Sequence, residues 1–107
     1  MYFDPMKKIL RVVCRRMGCP VSRVRCRRRE VREKRDFWCR AMFVRAGVAA
    51  GYPRYELAWF LDLEDRMGSV LYCRSERLWQ NEPVFRDVYR QCLDVLQNEL
   101  PERYGKA

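Results

Sequence analysis

VRCRRREVREKRDFWCRAMFVRAGV, residues 24–48, holds both the densest charge and the longest helical period in the chain. In its second half Phe37, Ala41, Val44 and Val48 recur at steps of four, three and four, the apolar stripe of an α-helix. A stripe of that kind belongs against a core. In its first half Arg25, Arg27, Arg28, Arg29, Arg32 and Arg35 crowd around Lys34 with few acids among them. That end must face water or a polyanion. A helix anchored at its apolar end and projecting at its basic end would hold arginines against phosphates.

The charge of the whole chain is concentrated here. Residues 11–45 carry 13 Lys plus Arg against 3 acids, whereas the remainder carries 10 against 11. Such asymmetry points to nucleic acid or an anionic surface as partner, the plainer alternative being a solvated basic face. At 107 residues the chain is expected to form a single domain, 1–107, with a core over about residues 5–100 and a short tail from 101. It lacks an apolar run of about 18 residues, so no membrane span is predicted. Its start, MYFDPMKKIL, does not read as a secretory signal. The six cysteines, Cys14, Cys19, Cys26, Cys39, Cys73 and Cys92, form no C-x-x-C pair, and the chain has no histidine. They are expected to be reduced and structural, with Cys39, Cys73 and Cys92 acting as small hydrophobes, in a cytoplasmic protein without metal or other cofactor.

Outward from the central stretch, every segment reads as helix. Asp4-Pro5 is a start signal, Met6, Ile9 or Leu10, Val13 and Met17 keep the period, and Gly18 is a stop, giving a helix over 5–17. Ser22 can cap a short helix that runs into the arginines. The central helix should begin near Arg29 or Glu30 and end before Gly51. A further helix runs over 54–62 with Leu57, Phe60 and Leu61 inward, followed by a tight loop, DLEDRMG, over 62–68. Ser69 begins or caps a helix over 69–80 that can bury Val70, Leu71, Cys73 and Leu78. After Glu82-Pro83, the last helix places Phe85, Tyr89, Cys92 and Leu96 on one face and stops at Leu100-Pro101. No stretch alternates as a strand does. The expected fold is all-α, a compact bundle of about six helices.

Helix 54–62, a loop and helix 69–80 have the order of a helix-turn-helix, whose second helix presents its first turn, here Arg66, Met67, Gly68 and Ser69, to base edges. This order, together with four stretches of sequence, resembles the C-terminal duplex-DNA-binding domain of the bacterial replication initiator DnaA and its stand-alone and transposase-linked relatives. RVVCRRMGCPVSRVRCRRR resembles that family's opening helix and basic segment. FWCRAMFVRAGV is similar to its Ala-Met-Tyr-Leu helix at Ala41, Met42, Phe43 and Val44. PRYELAWFL is similar to the next helix at Glu56 and Leu57, and GSVLYCRSERL to the recognition helix at Ser69, Val70, Leu71 and Cys73. The resemblance spans about residues 9–96. It implies that an arginine among Arg27, Arg28 and Arg29 enters the minor groove and that Ser69 bonds a phosphate. The family's base-reading Asp-His-Thr is replaced by Arg66, Met67 and Gly68, which implies a different target sequence. The ATP-binding domain is absent from the chain, and no phosphate-binding G-x-x-x-x-G-K-[ST] occurs.

Physically, Arg27, Arg28 and Arg29 suit the negative potential of a narrow minor groove, and Arg66 could pair with guanine. Arg32, Arg35, Arg54 and Arg74 are phosphate candidates, Arg25 counts among the DNA-binding arginines, and Tyr72 lies on the recognition-helix candidate. Against these readings, Arg32 and Arg35 could pair with Glu33 or Asp36, and Arg66 could merely solvate the loop beside Asp62, Glu64 and Asp65. Trp38, Trp59, Trp79, Phe37 and Phe60 read as core rather than as stacking platforms, with Tyr72 and Trp79 the candidates for exposure. Double-stranded DNA is the partner these residues favour. A protein-interaction module that kept the fold and an RNA binder are the alternatives. An enzyme is not expected, since no acid/base or nucleophile motif stands out. The target sequence and the oligomeric state, monomer or homodimer, are not legible.

Overall fold

A computed structural model of the chain describes residues 4–27 and 33–105. Six helices and no strand lie among the described residues: α1 Asp4–Met17, α2 Val21–Val24, α3 Lys34–Ala49, α4 Arg54–Phe60, α5 Met67–Asn81 and α6 Pro83–Glu99. The radius of gyration, 12.5 Å, is that of one compact body of this length.

α3 is the axis of the molecule, packed against each of the other helices. Its buried surface is far wider than the predicted stripe. Phe37 and Val48 are only half-buried, while Trp38, Cys39, Ala41, Met42, Phe43, Val44, Ala46 and Gly47 surround the axis in the core. A helix buried on all sides needs no amphipathic period, so one stripe understated it. Its start is also corrected. Glu33 has extended backbone, φ −81° and ψ 129°, so the helix begins at Lys34 and not at residue 29 or 30. Arginine is a good helix former, which is why the period could be read through the basic segment. Arg28, Arg29, Glu30 and Arg32 themselves lie outside the described residues.

α1 turns Met6, Ile9, Leu10 and Val13 inward and stops where Gly18 adopts φ 71°. α2 follows Pro20, and Ser22 sits inside its single turn, making no capping bond. α4 ends short of the predicted residue 62 because Asp62 takes the left-handed conformation, φ 69°, which aspartate tolerates better than most residues. α5 starts at Met67, two residues before Ser69, again with no capping side chain. Gly68 therefore belongs to the helix and not to the loop. Here α4 and α5 touch backbone to backbone, since a Cβ on Gly68 would lie 2.2 Å from the Arg54 carbonyl oxygen.

α6 follows prediction closely: Pro83 occupies its first turn, and Phe85, Tyr89, Cys92 and Leu96 are all buried. The segment after it is more than a tail. Tyr104 is buried, and its hydroxyl donates to the Ala46 carbonyl of α3 at 2.7 Å. α5 departs most from expectation. Leu71 is buried and Leu78 half-buried, but Val70 and Cys73 are exposed, and the buried face is completed by Met67, Gly68 and Ser75. Ser75 is polar, donating to the Tyr72 carbonyl at 2.7 Å, and so it masked the period.

Candidate nucleic-acid interface

The arginine segment leaves the core through three contacts. Arg40 of α3, 1% exposed, donates from Nε to the Val24 carbonyl and from a terminal nitrogen to the Cys26 carbonyl, both at 2.9 Å. Val24 is the last residue of α2, so the guanidinium satisfies a carbonyl that the helix end leaves open. Burial lowers the pKa of Arg40, yet a guanidinium stays charged. Buried Asp36 binds Arg23 at 3.1 Å, which supports α2 from the other side. Arg25 donates from Nε to the Phe60 carbonyl at 2.6 Å and lies over the Phe60 ring, 4.1 Å from its centre. Arg40 carries no signal in the sequence beyond its place on the helix, and its role was not foreseen.

Beyond these contacts, Arg27 is exposed. Where the described chain resumes, Lys34 and Arg35 are exposed too, with Lys34 4.9 Å from the Trp38 ring centre. Asp36, an expected partner of Arg32 or Arg35, is taken by Arg23. Arg74 of α5 lies 5.6 Å from the ring centre of Phe37, which brings the middle of α5 beside the basic start of α3.

The outward face of α5 carries Ser69, Val70, Cys73, Arg74 and Arg77, together with Gln80 and with Glu76, which pairs with Arg45 at 2.7 Å. Val70, Cys73 and Arg77 were not among the predicted contact residues; the repeat at 70, 73, 74 and 77 was the available signal. Arg54, exposed, stacks on half-buried Tyr72 at 4.3 Å and flanks this face. Met67 and Gly68, expected in the base-reading turn, are both buried. Arg66 pairs with Glu64 at 3.0 Å in the loop, and Asp65 accepts the Trp59 indole N–H at 2.6 Å. The loop over 62–68 keeps three acids, Asp62, Glu64 and Asp65, against the single cation Arg66.

The aromatic side chains are only partly as predicted. Trp38 and Phe60 are buried, and Phe37, Tyr72 and Trp79 are half-buried. Trp59 is the exposed one, at 53%, with Tyr55 edge-on to it at 5.0 Å. Trp79 is covered by the guanidinium of Arg45, 4.6 Å from its ring centre.

Of the cysteines, Cys14, Cys19, Cys39 and Cys92 are buried, Cys26 is half-buried, and Cys73 is exposed against expectation. All are free thiols. Hydrogen bonding to Cys14 together with burial pushes the Cys39 thiol up, and burial pushes that of Cys92 up to about 11, so both stay protonated. Among the described residues no group of cysteines and carboxylates is arranged to hold a metal ion. None of their helices is long and apolar enough to cross a membrane.

Comparison of the chain with protein-family models, with curated proteins and with solved structures gave no match.

Proposed function

We propose that the chain is a double-stranded DNA-binding protein of the DnaA C-terminal type, reading its target with α5 and the arginine segment and having no ATPase activity. The observation that carries this reading is the outward face of α5, where Arg74 and Arg77 stand in the open beside the basic start of α3. A helix exposed along one side with two exposed guanidiniums has the width and the donors that a major groove accepts. On this reading Arg74 and Arg77 face base edges or phosphates, Val70 meets a thymine methyl, and Ser69 bonds a phosphate. Arg54 and Arg25, each stacked on an aromatic ring, act as pre-oriented phosphate contacts. Arg27, Arg28 and Arg29 enter the adjoining minor groove. The free thiols fit a reducing, cytoplasmic setting.

Fluorescence anisotropy with duplex DNA over a salt series tests this, beside selection from a randomised duplex library. The expected result is binding that weakens steeply with salt, abolished by charge reversal of Arg27, Arg28 and Arg29 and stripped of sequence preference by R74A/R77A. Affinity unchanged by the triple reversal would overturn it.

One observation favours a second reading, a protein-interaction module. Trp59 and Tyr55 form an exposed aromatic pair beside Asp62, Glu64 and Asp65, a surface suited to a basic protein segment and unsuited to DNA. Stable co-purification of a protein partner, with no shift of duplex DNA, would establish it.

A further inference from the structure

The cations of α1 have no part in the reading so far. Lys7, Lys8, Arg11, Arg15 and Arg16 are all exposed, and Lys7 and Arg11 stand one turn apart on the same side. These two form one wall of a cleft between α1, α2 and α4. The cleft has a volume of about 230 Å³, and its lining is completed by Leu10, Val21, Arg25 and Phe60. Three cations and three apolar side chains thus share one cleft, and no carboxylate lines it among the described residues. Like charges brought together in this way repel, and an anion between them removes the repulsion. Arg25 is already oriented for one. Its Nε is committed to the Phe60 carbonyl and its plane is fixed by the Phe60 ring, which leaves its terminal amino groups unbonded among the described residues. Two adjacent terminal N–H groups on a fixed plane match the oxygens of a phosphate.

We propose that this cleft is a phosphate-binding site formed by Lys7, Arg11 and Arg25. Resting on the DNA reading above, its phosphate is one of the duplex backbone, held apart from the α5 face. The site positions the protein on the duplex without reading sequence. Lys7 and Arg11 extend the contact surface onto α1, and the apolar side chains of the cleft keep water from competing at the inner side of the anion.

The test uses the full chain and its K7Q/R11Q variant, with K7R/R11K as the charge-conserving control. Both positions are exposed, so thermal melting of the variants should match the parent. Nitrogen-15 spectra of the arginine side chains, followed as inorganic phosphate is added, should show the Nε signals of Arg11 and Arg25 moving in the parent and Arg25 standing still in K7Q/R11Q. In duplex binding, K7Q/R11Q should lower the slope of log K against log salt by about 0.9, the loss of one phosphate contact, while the selected DNA sequence stays the same. K7R/R11K should retain the parent slope. Static arginine signals together with an unchanged slope would overturn the site. The two readings fail separately. Phosphate binding in the cleft without duplex binding at about 50 mM salt keeps the site and sinks the DNA function; duplex binding with static arginine signals and an unchanged slope does the reverse.

Discussion

Arg40 shows how one buried charge is made tolerable, since its guanidinium is spent on main-chain carbonyls at the point where α2 ends. Replacing it with methionine keeps the bulk but leaves the Val24 and Cys26 carbonyls without their donor. R40M is expected to destabilise the fold by about 3 kcal/mol in urea denaturation, and R40K, which keeps the charge but loses the planar fork, by less. Two tyrosines provide a sharper contrast. The Tyr52 hydroxyl is buried without a hydrogen-bond partner among the described residues, whereas that of Tyr104 donates to Ala46. Y52F should therefore be neutral or slightly stabilising, while Y104F should cost about 1 kcal/mol. An equal loss in both would mean that the Tyr52 hydroxyl is bonded too, since phenylalanine keeps the ring. None of this was legible in the sequence. What Arg40 does depends on carbonyls 14 and 16 residues away, and no local pattern encodes a partner at that separation.

Among the elements, α1 and α6 were legible because a polar outer face and a run of apolar side chains alternate at helical spacing, punctuated by Gly18 and Pro83. α3 was legible as a helix but not in extent. It is buried all round, and arginines upstream let the period run past its true start at Lys34. α5 was placed well and rotated wrongly. Buried Ser75 interrupts the apolar stripe, while Val70, apolar but exposed, suggests a false one. The first-turn residues Met67 and Gly68 accordingly lie on the buried face of α5, and Val70 and Arg77 on its exposed face. The crossing of α4 and α5 depends on Gly68, whose missing Cβ leaves room for the Arg54 carbonyl. A main-chain oxygen cannot swing aside as a side chain can. G68A should thus force the two helices apart at a cost of about 2 kcal/mol, read as a lower urea midpoint with the denaturant slope retained. A midpoint within error of the parent would show that the helices separate freely.

For the molecule as a whole, alkaline pH is the informative perturbation. Burial pushes the Tyr89 hydroxyl up to about 12, and it raises those of Tyr52 and Tyr104 as well. In the unfolded chain these groups release their protons near pH 10, before the folded chain does. Deprotonation then favours unfolding, so the stabilisation is complete below about pH 10 and is lost as pH climbs from 10 towards 12. Melting temperatures should hold level to pH 9 and fall above it, more gently in Y89F, provided that variant remains folded. A profile that stays level to pH 12 would show that the buried hydroxyls reach solvent. Across the whole surface, the thiols differ as sharply as the charges do. Cys73 stands in the open in the middle of the outward α5 face, while the other five are buried or half-buried. A maleimide should find this one sulfur first, so the unmodified chain comes with an address at which a fluorophore can be placed. Slower alkylation of Cys73 when a ligand is added would then map coverage of α5 directly, without a single substitution.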